Sequence, residues 1–388
     1  MKYYLIAGEA SGDFHASRLM RELREQDSEA QFRFYGGDAM AAEGGTLVRH
    51  YRDLAYMGFY QVVTHLGTIL SGMKNCKADI AAFAPDVVIL VDYPGFNLGI
   101  AKWVKEHLSA QVVYYISPKI WAWKEYRISQ IRKYVDLMLS IFPFEVDWYA
   151  RRDYQVAYVG NPTVDELFPL KSNREQHRYK SSEPYLLLVP GSRKAEVTDN
   201  LNIMLRATDA FGLKRIIAGA PGLDASFYAE VLKKLDNDAE VFFGQTHALM
   251  LGAQAAAVTS GTASLEAAYL GCPQVVCYNF KGGKLVYNIM KRVLKSIRYV
   301  SLPNLVLYGL NPDEQCPDER HAFVPELLGP YLSPETLRQN LSSLIDEHSY
   351  ERHSMLANYN RMVDLLGEPG APKRAAKLII DRNKVKNK

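Results

Sequence analysis

Cysteine is scarce in this 388-residue chain, and none of Cys76, Cys272, Cys277 and Cys316 stands in a CxxC pair or in a metal-ligand pattern with histidine. A disulfide-built secreted scaffold is therefore unsupported, and the thiols read as buried or incidental ones of a reducing compartment. No two histidines stand at HxxxH spacing, and no metal or other cofactor is expected. An apolar run of about 18 residues, the least that would span a bilayer as a helix, does not occur. Low-complexity segments are missing as well. The chain opens Met1-Lys2-Tyr3-Tyr4-Leu5-Ile6-Ala7, which reads as a first strand rather than a signal peptide with a small-residue cleavage site. A cytoplasmic protein is expected, compatible with an oligomer and able to lie against a membrane. The net charge of +3 is too small to argue for a nucleic-acid partner.

What is present is the composition of a globular enzyme, 48% hydrophobic and 23% charged, in a chain too long for one core. Short apolar runs at residues 3–7, 32–36, 87–92, 112–116, 137–142 and 156–160 alternate with stretches of helical spacing such as 16–26 and 100–108. The continuous run Val87-Val88-Ile89-Leu90-Val91 is apolar on both faces, as in a parallel sheet covered by helices. A polar, proline-bounded stretch at 167–184 reads as a linker. The pattern then restarts, with strand-like runs at 185–189, 215–218, 240–243, 255–259 and 274–278, and everything from about residue 334 looks helical. The expected fold is α/β. Two doubly wound, Rossmann-like domains at 1–166 and 184–333 enclose a ligand cleft, and a helical segment at 334–388 ends in a frayed basic tail.

The loops after the strands carry the candidate chemistry. Gly8-Glu9-Ala10-Ser11-Gly12-Asp13 follows the first strand and opens a helix, where small residues admit close approach and the helix N-terminus favours anions. Its spacing is not GxGxxG, which argues against a nicotinamide site. Asp92, at the end of the most buried strand, is a candidate general base, with a turn-capping role as the alternative. Ser117-Pro118-Lys119-Ile120-Trp121-Ala122-Trp123-Lys124 offers paired tryptophans for a sugar or acyl chain, or simply for packing.

In the second half, Gly191, Ser192 and Arg193 meet at a helix start and suit a diphosphate, although Arg193 also reads as a solvated helix-start residue. Ser260, Gly261 and Thr262 end a buried strand. Glu266 follows on the next helix, placed either for ribose hydroxyls or for capping. The stretch 280–300 holds Lys281, Lys284, Lys291, Arg292, Lys295 and Arg298 and no acid. Interleaved aliphatics make it a basic amphipathic segment suited to anionic headgroups or a substrate phosphate, rather than the stacking surface a nucleic acid needs. Met57 and Phe59 lie in a second apolar segment, which reads equally as membrane-facing or as core.

Taken together these loops resemble one family, the lipid-A-disaccharide synthases. The matching pieces, in order, are AGEASGD at 7–13, MGF at 57–59, DYPGFN at 92–97, SPKIWAWK at 117–124, PFE at 143–145, PGSRKAEV at 190–197, SGTASLE at 260–266 and YVSLPN at 299–304. One departure is Asn161, in Gly160-Asn161-Pro162, where many members carry histidine. The resemblance implies a metal-independent, inverting GT-B glycosyltransferase that joins UDP-2,3-diacylglucosamine to 2,3-diacylglucosamine 1-phosphate (lipid X). It further implies that Ser11 and Gly12 help hold a substrate and that Asn304 lies near the donor.

Overall fold

The structure, a computed structural model, describes residues 1–53, 66–279, 298–310 and 322–386. They gather into two compact units, Met1–Pro162 with Pro369–Lys388, and Thr163–Glu368.

The first unit is built on β1 (Lys2–Ala7), β2 (Gln31–Gly36), β3 (Thr46–His50), β4 (Val87–Val91), β5 (Gln111–Tyr115), β6 (Leu137–Ser140) and β7 (Ala157–Tyr158). Their order is β3-β2-β1-β4-β5-β6-β7, all parallel. Every residue of β4 and β5 is buried, as strands covered on both faces must be. The winding reverses between β1 and β4, which end level with each other, Ala7 opposite Val91. Loops leaving those two ends diverge to opposite faces and leave a crevice above them.

The second unit repeats the plan with β8 (Tyr185–Val189), β9 (Lys214–Gly219), β10 (Glu240–Phe243), β11 (Ala255–Thr259), β12 (Gln274–Tyr278) and β13 (Glu326–Leu328). The order β10-β9-β8-β11-β12-β13 is again parallel throughout, with its reversal between β8 and β11. The α/β class and doubly wound plan are those expected from sequence. The edge strands β3 and β13 were not expected; β3 carries an arginine and a histidine and stays half exposed, so it lacks the apolar run of a covered strand.

Two segments depart from the sequence reading. Residues 167–184 are not an open linker throughout, because helices run over Pro162–Ser172, straight through Pro169, and over Arg174–His177. Val164 and Leu167 bury completely and anchor the first of them. The Arg174 guanidinium donates to the carbonyls of Leu251 at 2.6 Å and Leu270 at 2.8 Å. Those carbonyls close the helices Thr246–Gly252 and Thr262–Tyr269, so the charge that suggested solvent serves two helix C-termini instead.

The second departure is at the chain's end. Helices Pro334–Ile345 and Tyr350–Leu366 belong to the second unit, whereas the last, Ala371–Lys386, belongs to the first. Its Ala375, Ala376, Ile379 and Ile380 enter the cluster formed by Ala16, Leu19 and Leu23 of the helix Ala10–Gln26. The Arg374 Nε donates to the Val159 carbonyl at 2.7 Å. The tail expected to fray is helical through Lys386, with Asn383 buried. Ile379→Ala is therefore expected to lower the stability of the first unit by about 2–5 kcal/mol in urea titration. A loss below about 1 kcal/mol, as at ordinary surface positions, would show that this helix is no part of the core.

Candidate active site

In the first unit two non-glycine residues in succession, Asp92 with φ 44° and Tyr93 with φ 48°, take the left-handed conformation at the end of β4. Such a corner stores roughly 1–3 kcal/mol per residue and persists only where its surroundings hold it. Here Asn97, one turn into the helix Pro94–His107, donates its amide to the carbonyls of Val91 and Asp92 at 3.2 and 2.8 Å. The Tyr114 hydroxyl donates to the same Asp92 carbonyl. Glycine is required at position 8 because a Cβ there would stand 2.5 Å from the Tyr93 ring, which covers the end of β1.

Burial, and then the charge of Glu9, push the Asp92 carboxyl up to about 6, against the opposing charge of Lys119 and a hydrogen bond from the Tyr93 N–H. A second carboxylate lies deeper. Glu145 accepts from the Trp121 indole at 2.9 Å and from the Ser140 hydroxyl, which ties the Trp121 loop to the helix Pro143–Ala150. Burial pushes Glu145 up to about 7 against those two bonds and Lys119, with Asp92 adding to the rise.

In the second unit the ends of β8, β9 and β11 enclose a cavity of about 690 Å³. Gly191 and Ser192 line it from one side, Gly219 to Pro221 from another, and Thr259 to Ala263 with Glu266 from a third. Gly191 has φ 115°, and a Cβ on it would meet the Glu196 carboxylate at 2.9 Å. Ser260 bonds the end of β12 through its N–H to the Cys277 carbonyl, while Gly261 and Thr262 begin the helix Thr262–Tyr269 at the cavity wall. Glu266 reaches the cavity from that helix and pairs with His247 at 3.0 Å. Burial disfavours the charged imidazole, but the hydrogen bond and charge of Glu266, with Glu166 beyond, raise His247 above its ordinary pKa.

Gly191, Ser192, Ser260, Gly261, Thr262 and Glu266 are thus brought together, and other candidate residues are not. Arg193 caps the helix Lys194–Thr208 with its side chain 82% exposed, paired to Glu196 at 3.0 Å rather than lining the cavity. Asn304 is fully buried, and its amide bonds Val324 and Glu326, closing the helix Leu302–Tyr308 onto β13. Asp13 is likewise structural: its carboxylate accepts the N–H groups of Gly37, Ala39 and Met40 at 2.6–3.2 Å.

Ser11 stays exposed in the first turn of Ala10–Gln26, bonded to Glu9 at 2.8 Å, and Gly12 is buried behind it. Asn161 is buried, with its amide on the Ile141 carbonyl at 2.9 Å. Trp123 is 60% exposed, with the Lys124 ammonium 4.1 Å from its ring centroid. Met57, Phe59, Lys281, Lys284, Lys291, Arg292 and Lys295 lie outside the described residues. Arg298, within them, is exposed beside Tyr299. Among the described residues no three histidine, cysteine or carboxylate groups converge as metal ligands would.

The family described as lipid-A-disaccharide synthetase matches residues 3–353. A lipid-A-disaccharide synthase of Myxococcus xanthus is 34% identical, with 97% of this chain and 96% of that protein covered. The chain belongs to the lipid-A-disaccharide synthase family. Solved structures add the fold. A UDP-GlcNAc 2-epimerase from Neisseria meningitidis bound to UDP-GlcNAc superposes with a TM-score of 0.64 at 12% identity, covering 98% of this chain and all of that one. The calicheamicin glycosyltransferase does so with a TM-score of 0.57 at 15% identity, covering 98% of each chain. Epimerases and transferases share this two-sheet GT-B plan, so the family membership, not the fold, separates them.

Among residues of this chain that sequence reasoning passed over, Asn200 and His247 are the most consequential. Asn200 is buried on the apolar face of Lys194–Thr208, among Val197, Leu201 and Met204. Its amide donates at 2.9 Å both to the Pro190 carbonyl after β8 and to the Thr259 hydroxyl at the end of β11. An amide set among the apolar residues of a buried helix face was the available signal. Asn200→Ala is expected to destabilise the second unit by about 1–3 kcal/mol and to weaken nucleotide binding as the two corners loosen. Unchanged thermal stability and unchanged UDP affinity would show that the corners hold without it.

Proposed function

We propose that this chain is the inverting hexosyltransferase that joins UDP-2,3-diacylglucosamine and lipid X into the β-1,6-linked disaccharide 1-phosphate, releasing UDP. The observation that carries the reading, within a chain of this family, is the second unit's cavity, where two loops at the switch point converge with Glu266 on one wall. Cavities of this size suit a nucleotide, and backbone N–H groups at helix starts suit its diphosphate. Glu266 is assigned to the ribose hydroxyls, and Gly191, Ser192, Ser260, Gly261 and Thr262 to the diphosphate. Arg193 joins them by leaving Glu196, an exposed pairing worth only about 0–1 kcal/mol.

The chemistry divides over the two units. The acceptor's C6 hydroxyl attacks the anomeric carbon as its proton passes to Asp92. The carbon–oxygen bond to UDP breaks, and the electron pair leaves on the diphosphate, whose developing charge meets fixed dipoles and Arg193. Attack opposite the leaving group inverts the anomeric centre. Ser11, Gly12, Trp123 and Asn161 are assigned to the acceptor side.

Both sugars carry acyl chains, so the reaction belongs at a bilayer surface, at the inner face of the inner membrane. Among the described residues no helix is long and apolar enough to cross a membrane. Peripheral docking through the basic segment of residues 280–300 is supported by its charge pattern. Binding to anionic vesicles is expected to fall several-fold as salt rises from about 0.05 to 0.5 M, the Debye length shrinking accordingly. Salt-insensitive binding would move the contact to the apolar segment around Met57 and Phe59.

Incubation with both substrates is expected to yield the disaccharide by mass spectrometry, with UDP released only when the acylated sugar phosphate is present. UDP release without acceptor, or epimerised donor, would point to another reaction. Asp92→Asn is expected to cut turnover by about 10²–10⁴-fold and UDP affinity hardly at all. Because Asp92 must be ionised to accept a proton and titrates at about 6, kcat/KM is expected to fall as pH drops through about 6. A flat profile from pH 5 to 8, or equal losses of turnover and affinity in the asparagine variant, would remove Asp92 from the base role.

A further inference from the structure

We infer that His247 is a positioning residue that sets ribose selectivity at the nucleotide site by holding the Glu266 carboxylate in one orientation toward the 2′- and 3′-hydroxyls. The inference rests on the assignment of UDP to the second unit's cavity and goes beyond it, because no motif of the chain includes position 247.

Both residues line the cavity, yet they come from different elements: His247 from the helix Thr246–Gly252, which follows the loop closing β10, and Glu266 from Thr262–Tyr269. Nε2 of His247 stands 3.0 Å from Oε2 of Glu266, and each side chain is about one quarter exposed. The pair is therefore partly shielded from water while still open to a ligand. A carboxylate accepts only, so the nitrogen facing it carries the proton whichever charge the ring bears.

A glutamate reaches a ligand through three torsions, and fixing them at the moment of binding subtracts from affinity. One oxygen tied to His247 removes that loss in advance and turns the other oxygen, Oε1, with the remaining lone pair of Oε2, toward a vicinal diol. The gain falls on ligands that have the diol. A nucleotide lacking the 2′-hydroxyl has less to gain from an oriented carboxylate, so the ordering shows itself as selectivity. A group that merely stabilised the fold, or touched base or phosphate, would change both affinities alike.

The test is calorimetric titration of UDP and 2′-deoxy-UDP into the full-length wild type and into His247→Ala, His247→Gln and Glu266→Gln. Wild type is expected to prefer UDP. His247→Ala is expected to bind UDP roughly three- to tenfold more weakly while its affinity for 2′-deoxy-UDP hardly moves, narrowing the preference by that factor. His247→Gln, which keeps an N–H donor near the same place, retains most of the preference, and Glu266→Gln loses it. His247→Phe, keeping a ring without nitrogens, gives the same reading should the alanine variant be unstable.

If His247→Ala weakens both nucleotides equally, or leaves the ratio as in wild type, the positioning role is overturned while the cavity assignment stands. If wild type binds neither nucleotide, or binds UDP with no dependence on Glu266, the assignment of the cavity fails and takes this inference with it.

Discussion

The reversal of winding at the middle of each sheet is the constraint on which the rest of the molecule depends. β1 and β4 in the first unit, and β8 and β11 in the second, are parallel neighbours whose connections leave toward opposite faces. Such diverging connections leave a crevice above the carboxyl ends of the strands. These strands are buried along nearly their whole length, so polar groups gather where the strands stop. Each crevice is therefore rimmed by backbone N–H groups, helix starts and short polar side chains, the materials from which an anion site or a proton acceptor is made.

A corner of that kind needs support from beneath, and the same device appears twice. Asn97 ties the left-handed turn at Asp92 to the strand it leaves, and Asn200 ties the turn after β8 to the end of β11. An asparagine amide suits both places because it is short, uncharged and bonds two acceptors at once without the desolvation a buried ion would suffer. The candidate groups at the strand ends stand on these buried ones. Asp92 projects from a strained backbone because Asn97 and Tyr114 hold the carbonyl behind it.

The fold was legible in the sequence wherever burial was two-sided. Runs such as Tyr185–Val189, short and continuously apolar, read as covered strands, whereas β3, with Arg49 and His50, looks like a surface stretch because on one edge it is one. The polar span after residue 166 was misread for a related reason. Charge implies water only until a helix C-terminus offers carbonyls, and Arg174 has two such ends to serve.

The site was legible in part. Its loops were found, but an acid or amide after a buried strand has two uses that sequence does not separate. Asp13 and Asp92 both follow strands of the same sheet. The first spends both oxygens on the N–H groups of the next corner, while the second stands at the end of β4 on a left-handed turn held by others. Asn304 likewise answers the buried groups of Val324 and Glu326. His247 lay beyond reach because its meaning resides in Glu266, nineteen positions on, and only the folded sheet brings β10 and β11 loops to one wall.

The electrostatics of the candidate loops differ between the two units. In the second, the Glu266 carboxylate lines the cavity, and its hydrogen bond and charge favour the protonated form of the His247 imidazole beside it. In the first, burial raises Asp92 first and the charge of Glu9 adds to it, while Lys119 and the Tyr93 N–H oppose the rise without cancelling it. The outcome is a carboxylate at about 6, ionised for the most part near neutrality and yet a stronger base than an ordinary aspartate. Full compensation by a close cation would hold an aspartate low and make it a weak base; none at all would raise it further. Burial and Glu9 on one side, with the exposed Lys119 and the Tyr93 N–H on the other, keep the group between these limits.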